Sequence, residues 1–167
     1  LIVQHFMFDP AWEQGCPVCS HQADSVGPLA HLHARNTTYA AVSRAPISKI
    51  EPFRLRMGWD FPWYSSHGSD FNYDFHVTHD ESVAPIEWNF RTAQELADRG
   101  DAWAARPGEQ GGVSVFFRDG DTVLHTWSGY GPVTYLLCEN DILLDLTPLG
   151  RQDENVELLH HDKYPEA

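Results

Sequence analysis

The stretch Leu1-Ile2-Val3-Gln4-His5-Phe6-Met7-Phe8-Asp9-Pro10, continued by Ala11-Trp12-Glu13-Gln14-Gly15-Cys16-Pro17-Val18-Cys19-Ser20, decides how this chain is read. Residues 1–8 are apolar with a β-branched and aromatic bias, the pattern of a central strand buried on both faces. Asp9-Pro10 ends the strand, and a loop runs from Ala11 to Gly15. Pro17 suits a first helical position, because its missing N–H would go unpaired there in any residue, so a helix is expected from Pro17 to about Ser25. Cys16 then stands at the mouth of that helix, with Cys19 one turn on. Unpaired N–H groups and the helix dipole stabilise a thiolate at such a position and lower its pKa. Cys19 is placed to attack a mixed disulfide formed at Cys16. The C-x-x-C spacing alone is common; an apolar strand before it and a helix opening on it are the context that thiol–disulfide chemistry requires.

Working outward, Gly27-Pro28 interrupts the first helix, and a second helical piece is expected from Pro28 to Arg35, closed by Asn36. Thr38 to Ser43 reads as the next strand. Pro46 opens a helix through about Met57, with a kink expected at Pro52 and a cap at Gly58. Phe61 to Ser65 fits a short strand, which Pro62 confines to a sheet edge or places within its first turn. The region from Ser66 to Gly112 mixes Gly, Ser, Asp, His and aromatics around one helix-like piece near Thr92 to Ala97, and it reads as a long insertion. Val113 to Phe117 and Thr122 to Trp127 flank Asp119-Gly120, a hairpin signal. Gly131-Pro132 starts a helix expected to reach Leu144, with Val133, Leu136 and Leu137 at helical spacing. From Pro148 the chain is polar and acidic and reads as a solvated tail.

A strand, a crossover helix and a strand make a right-handed parallel unit, and an antiparallel hairpin covered by a helix completes a thioredoxin-like sheet. The expected architecture is one α/β domain of thioredoxin-like fold over residues 1–147, with a central mixed sheet, flanking helices and an insertion at about 66–112. An acidic C-terminal tail over 148–167 completes the chain.

Size and charge narrow the function. A chain of 167 residues and 19.0 kDa supports one core but not two. Eleven Lys and Arg against 24 Asp and Glu give a net charge of −13, and the densest basic group is Arg54-Leu55-Arg56. Nucleic acid and anionic membrane surface are therefore excluded as expected partners. No run approaches the ~20 apolar residues of a membrane span, and the opening lacks the basic flank of a secretion signal, so a cytoplasmic location is expected. The chain starts at Leu1 already inside a strand, which predicts an upstream segment. Three cysteines are too few and too odd a number for a disulfide framework, and a pair three apart points to chemistry or metal.

Further stretches extend the reading: Val42-Ser43-Arg44-Ala45-Pro46, Met57-Gly58-Trp59, Phe61-Pro62-Trp63, Ser69-Asp70-Phe71-Asn72, Val113-Ser114-Val115-Phe116 and Leu144-Asp145-Leu146-Thr147-Pro148-Leu149-Gly150. With His5-Phe6-Met7-Phe8 and Trp12 to Ser20, they resemble a bacterial family of thioredoxin-like proteins, domain of unknown function eight-nine-nine, described as predicted dithiol-disulfide oxidoreductases. The resemblance spans nearly the whole chain. It implies a thioredoxin fold with Cys16 attacking and Cys19 resolving; the reaction expected of this pair needs no bound cofactor and draws its electrons from an external thiol reductant. Most thioredoxin-like proteins place a cis-proline just before the strand facing the cysteines. Here Gly111-Gly112 precede Val113, which weighs against docking of extended polypeptide. The insertion, entered through Phe61-Pro62, resembles the peroxiredoxin branch, so a thiol peroxidase with Cys16 peroxidatic and Cys19 resolving is the first alternative. A non-enzymatic zinc- or ligand-binding module is the second.

Supporting roles follow from position. Arg44, ending the second strand, is a candidate to bring positive charge to the Cys16 thiolate or to an anionic substrate. Trp12, in the loop before the pair, and Trp63 are candidate walls of the site. Glu13 would raise the Cys16 pKa if it pointed inward. Cys138, among Leu136, Leu137 and Ile142, reads as a buried structural thiol. The zinc alternative would draw on Cys16, Cys19 and His21 with His31 or His33. His76 and His79 lack carboxylate or cysteine partners at metal spacing, so no metal is assigned. The tail has a dimer arm, and hence a homodimer, as its lesser reading. No Ser-His-Asp order, phosphate loop or G-x-G-x-x-G stands out.

Overall fold

The β-rich runs flanking the cysteine loop and the distal hairpin join in one five-stranded mixed sheet in the computed structural model, which describes residues 1–154 and 156–165. Strand β1 (Ile2–His5) leads through the loop into α1 (Pro17–Asp24), followed by α2 (Ala30–His33), β2 (Tyr39–Ser43), α3 (Ile47–Arg56) and β3 (Trp63–Ser65). Next come α4 (Phe71–Asp74), β4 (Thr78–His79), β5 (Glu87–Trp88), β6 (Arg91–Thr92), α5 (Ala93–Asp98) and β7 (Gly108–Glu109). The hairpin β8 (Gly112–Asp119) and β9 (Thr122–Tyr130) precedes a 3-10 segment at Gly131–Leu137 and α6 (Glu139–Asp145).

The strand order is β3-β2-β1-β8-β9. β1 pairs parallel with β2, aligning Ile2 with Tyr39 and His5 with Val42, and β2 pairs parallel with β3. β8 runs antiparallel to β1 and β9. β1 thus lies at the centre, and β3 lies at the sheet edge with Pro62 just before its first residue. Side chains alternate across a strand. Phe6 and Phe8 point into a core with Cys19, Ala23, Tyr39, Ile50, Phe53, Trp59 and Trp63, where tilted and edge-on aromatic contacts dominate. His5 faces the other way, against Phe71, Phe75 and Tyr130. Each buried core aromatic contributes ~1.5–3 kcal/mol of apolar transfer, which is why the helices carrying Phe53 and Ala23 are held to this face.

The turn of the hairpin falls on Gly120-Asp121, one residue later than Asp119-Gly120, since Asp119 still pairs with Thr122. Gly120 has φ +57, a conformation glycine adopts freely and a first central turn position demands. The segment between β3 and β8 is a small folded lobe rather than a loop. Val77, Trp88, Leu96 and Ala104 form its core with Tyr130, and Thr92 caps α5 through a reciprocal pairing with Glu95.

Two expectations are corrected. The helix expected over Gly131 to Leu144 is broken: Cys138 is extended and separates the 3-10 segment from α6. Thr134 turns its hydroxyl back to the Gly131 carbonyl, and Leu136 stays 77% exposed, so this face finds no core to hold a continuous helix. The region after Pro148 is not simply a solvated end. His160 is buried against Phe53, Asp162 pairs with Arg56 at 2.9 Å, and His161 pairs with Asp24 at 2.8 Å. Among the described residues no helix is long and apolar enough to cross a membrane.

Candidate functional site

The loop carrying Cys16 is fixed from several sides. The Cys16 N–H donates to the Met7 carbonyl at 3.0 Å, and the Cys16 carbonyl accepts from the Ser20 N–H and hydroxyl. Gly15 passes so close to the core that a Cβ there would lie 2.6 Å from Phe6 Cε1 and 2.9 Å from Phe53 Cε1. His160 donates from Nε2 to the Gly15 carbonyl at 2.8 Å, and Lys49 Nζ donates to the Trp12 carbonyl at 2.8 Å. Cys16 is the N-cap of α1 with extended backbone, and Pro17 takes the first helical position.

Cys19, one turn deeper, is 4% exposed. The Met7 N–H points at its sulfur at 3.4 Å, and its carbonyl accepts from Gln4 Nε2 at 2.9 Å. The Tyr39 hydroxyl donates to the Gln4 carbonyl oxygen, closing the pair from below. Gly111 borders the pair as well, since a Cβ on it would stand 3.6 Å from Cys19 Sγ.

The two thiols are electrostatically unequal. Cys16 is lowered to about 7, chiefly by the hydrogen bond that the Cys19 thiol donates to its sulfur; burial opposes this, and the backbone N–H groups of Cys19 and Val18 assist. Cys19 is pushed well above the usual thiol range by that same bond and by burial. The proton is therefore held more firmly on Cys19, while Cys16 ionises near neutral pH. That is the division of labour an attacking and a resolving thiol need. Cys16, Cys19 and Cys138 are all free thiols. Cys138 is buried, as its neighbours foretell, and burial followed by the Asp141 carboxylate raises it to about 11.

Arg44 has other commitments than the one expected. Its Nη2 donates to Asp9 Oδ2 at 2.7 Å, its Nη1 donates to the Tyr73 hydroxyl at 3.0 Å, and its Nε lies 2.9 Å from Glu109 Oε1. It is absent from the causes that lower Cys16. Glu109, buried at the end of the lobe, also accepts from Thr78 and Asn72, and burial raises it to about 7 against the opposing pull of Arg44. Trp12 is 37% exposed beside the cysteine loop, and Trp63 is buried in the core with its indole N–H on Ser43 Oγ. Glu13 points outward and pairs with Lys49 at 3.3 Å, so it does not oppose the thiolate.

The donor set Cys16, Cys19, His21 with His31 or His33 does not assemble: His31 and His33 lie exposed on α2. His79 has its two ring nitrogens against the carbonyls of Arg106 and Glu87. Among the described residues, the Cys/His/carboxylate group that does come together is His21, Cys138 and Asp141.

Sequence reasoning missed His160, Glu109, Asp9 and the pair Gln4–Tyr39. The one available signal was Gln4, an uncharged polar residue beside His5 in a run that is apolar on either side. On the opposite face, a hydrogen-bonded row His5–Ser114–Ser128–His125 crosses β1, β8 and β9 with spacings of 2.7, 2.6 and 2.7 Å.

No curated protein and no solved structure matches this chain. A family model described as a bacterial protein of unknown function, DUF899, matches residues 1–164, and with a match of that extent the chain belongs to that family.

Proposed function

We propose that the chain is a dithiol–disulfide oxidoreductase built on a thioredoxin-like fold. The parallel β1–α1–β2 unit with an antiparallel β8–β9 hairpin beside β1 supports that fold, and we read the lobe between β3 and β8 as a peroxiredoxin-like insertion. The observation that carries the proposal is the unequal pair at the mouth of α1: a partly exposed Cys16 lowered to about 7 and a buried Cys19 that holds the proton.

The chemistry is an exchange in two steps. The Cys16 thiolate attacks one sulfur of a substrate disulfide, forming a Cys16–substrate disulfide and expelling the other substrate sulfur as thiolate. Cys19 then loses its proton to solvent or to that leaving thiolate and attacks Cys16 Sγ, releasing the second substrate thiol. The substrate gains two electrons, and the protein keeps a Cys16–Cys19 disulfide. An external dithiol reduces it, completing a cycle that draws on no bound cofactor. Three free thiols in one chain fit a reducing compartment, in keeping with a cytoplasmic setting.

Turnover of a small aromatic disulfide with dithiothreitol as reductant tests the proposal. Cys16→Ser should abolish turnover, and Cys19→Ser should stall with substrate covalently attached, visible in the intact mass. Hydrogen peroxide consumed faster than disulfide would replace this reading with a thiol peroxidase. Unreactive Cys16 and Cys19 holding stoichiometric zinc would remove the enzymatic reading altogether.

A further inference from the structure

We propose that His21, Cys138 and Asp141 form a Zn²⁺ site separate from the cysteine pair. His21 lies on α1, two residues after Cys19; Cys138 caps the start of α6 and Asp141 sits in its first turn. Their ligand atoms, one imidazole nitrogen, one sulfur and one carboxylate oxygen, all lie within 4.8 Å of one another. His21 Nε2 is 3.6 Å from Asp141 Oδ1. A tetrahedral zinc with bonds of ~2.0–2.3 Å spaces its ligand atoms at roughly 3.3–3.6 Å, so the group needs only a small contraction to hold the ion.

The surroundings prepare the three residues. The Glu139 N–H donates to Ser25 Oγ at 2.9 Å, tying the start of α6 to the end of α1 and setting the two ligand-bearing segments side by side. Arg151 Nη1 lies 3.4 Å from Asp141 Oδ2, which leaves Oδ1 turned toward His21. Cys138 is 1% exposed, while a cavity of about 560 Å³ lined by His21, Tyr135, Asp141 and Arg151 opens beside the group. Three protein ligands with solvent access on one side make a site whose fourth position is filled by water. Sulfur, imidazole and a single carboxylate select Zn²⁺ over Mg²⁺ or Ca²⁺, which prefer all-oxygen shells.

Zinc at this place would bridge α1 to α6 and hold Cys138 as thiolate, out of reach of exchange with the pair. The test uses the reduced, metal-stripped full chain titrated with Zn²⁺ against a chromophoric chelator, and with Co²⁺ followed by visible absorption. One ion per chain should bind, with a tetrahedral Co²⁺ spectrum and a single-thiolate charge-transfer band. Binding should persist in the Cys16→Ser/Cys19→Ser chain. It should weaken by more than the ~10–100-fold that an outer-shell partner is worth in His21→Ala and in Cys138→Ser. The half-buried His21 is the safer variant for folding, and its far-ultraviolet spectrum should match the parent. Zinc lost with the Cys16/Cys19 pair but kept in His21→Ala overturns the proposal, as does the absence of stoichiometric binding in the parent chain.

Discussion

Replacing Cys19 with alanine, in a Cys138→Ala background that leaves Cys16 as the one thiol, isolates the cause of its acidity. The Cys19 thiol hydrogen bond is the largest influence lowering Cys16 to about 7; without it, burial works against the thiolate with only two backbone N–H groups opposing. A hydrogen bond to a charged group is worth ~1.5–3 kcal/mol, and a pKa unit corresponds to ~1.4 kcal/mol, so the Cys16 pKa should climb by about one to two units. Cys19→Ser keeps a hydroxyl donor at the same place and should move it far less. The assay is the rate of iodoacetamide alkylation against pH. The midpoint is the proper readout, because a less acidic thiolate is also a better nucleophile and partly masks the change in rate at any single pH. A midpoint that stays near 7 in the alanine variant would refute the assignment and shift the cause to the helix N-terminus or to a charge outside the pair.

Other consequences are open to measurement. Gly15→Ala would drive a methyl group into Phe6 and Phe53, and the urea midpoint should fall by an amount equivalent to about 1–3 kcal/mol; an unchanged midpoint would mean the loop is free to move. Glu109 is raised above its ordinary value, so its contribution to stability is full below about pH 4.5 and is lost as pH climbs through about 7. Glu109→Gln should remove that decline, gaining on the parent by up to about 3 kcal/mol between about pH 5 and pH 8, and a parallel pH profile would count against a buried, proton-holding Glu109. His5 is lowered to about 3 by burial and then by His125, so its contribution is present above about 6.5 and lost as pH falls toward 3. His5→Gln should therefore resist acid better than the parent in a denaturation series from about pH 6.5 to pH 4.5, and equal acid sensitivity would contradict the burial of an uncharged imidazole.

Local signals carried β1, the start of α1 at Pro17, the edge position of β3 and the hairpin, because each depends on residues close in sequence: an apolar run, a proline, a turn glycine. The site's core, Cys16 at the helix mouth with Cys19 a turn below, was legible for the same reason. The neighbours that tune it were not. Gln4 meets Tyr39 across 35 positions, and His160 reaches Gly15 across 145, so neither contact leaves a periodic trace. Arg44 was placed correctly at the end of β2, yet its partners Asp9 and Glu109 come from a loop and from the inserted lobe, and these two carboxyl groups take up a cation that position alone offered to the thiolate. The failed helix over residues 131–144 had the right spacing but no core to press against, which spacing cannot reveal.

The most direct test of the central claim is a thiol count with peptide mapping after equilibration in glutathione redox buffers. The account predicts that two of the three thiols disappear together as the buffer becomes oxidising, that they map to a Cys16–Cys19 disulfide, and that dithiothreitol restores both. Cys16 and Cys19 remaining free across the whole series, or pairing with glutathione alone and never with each other, would contradict it.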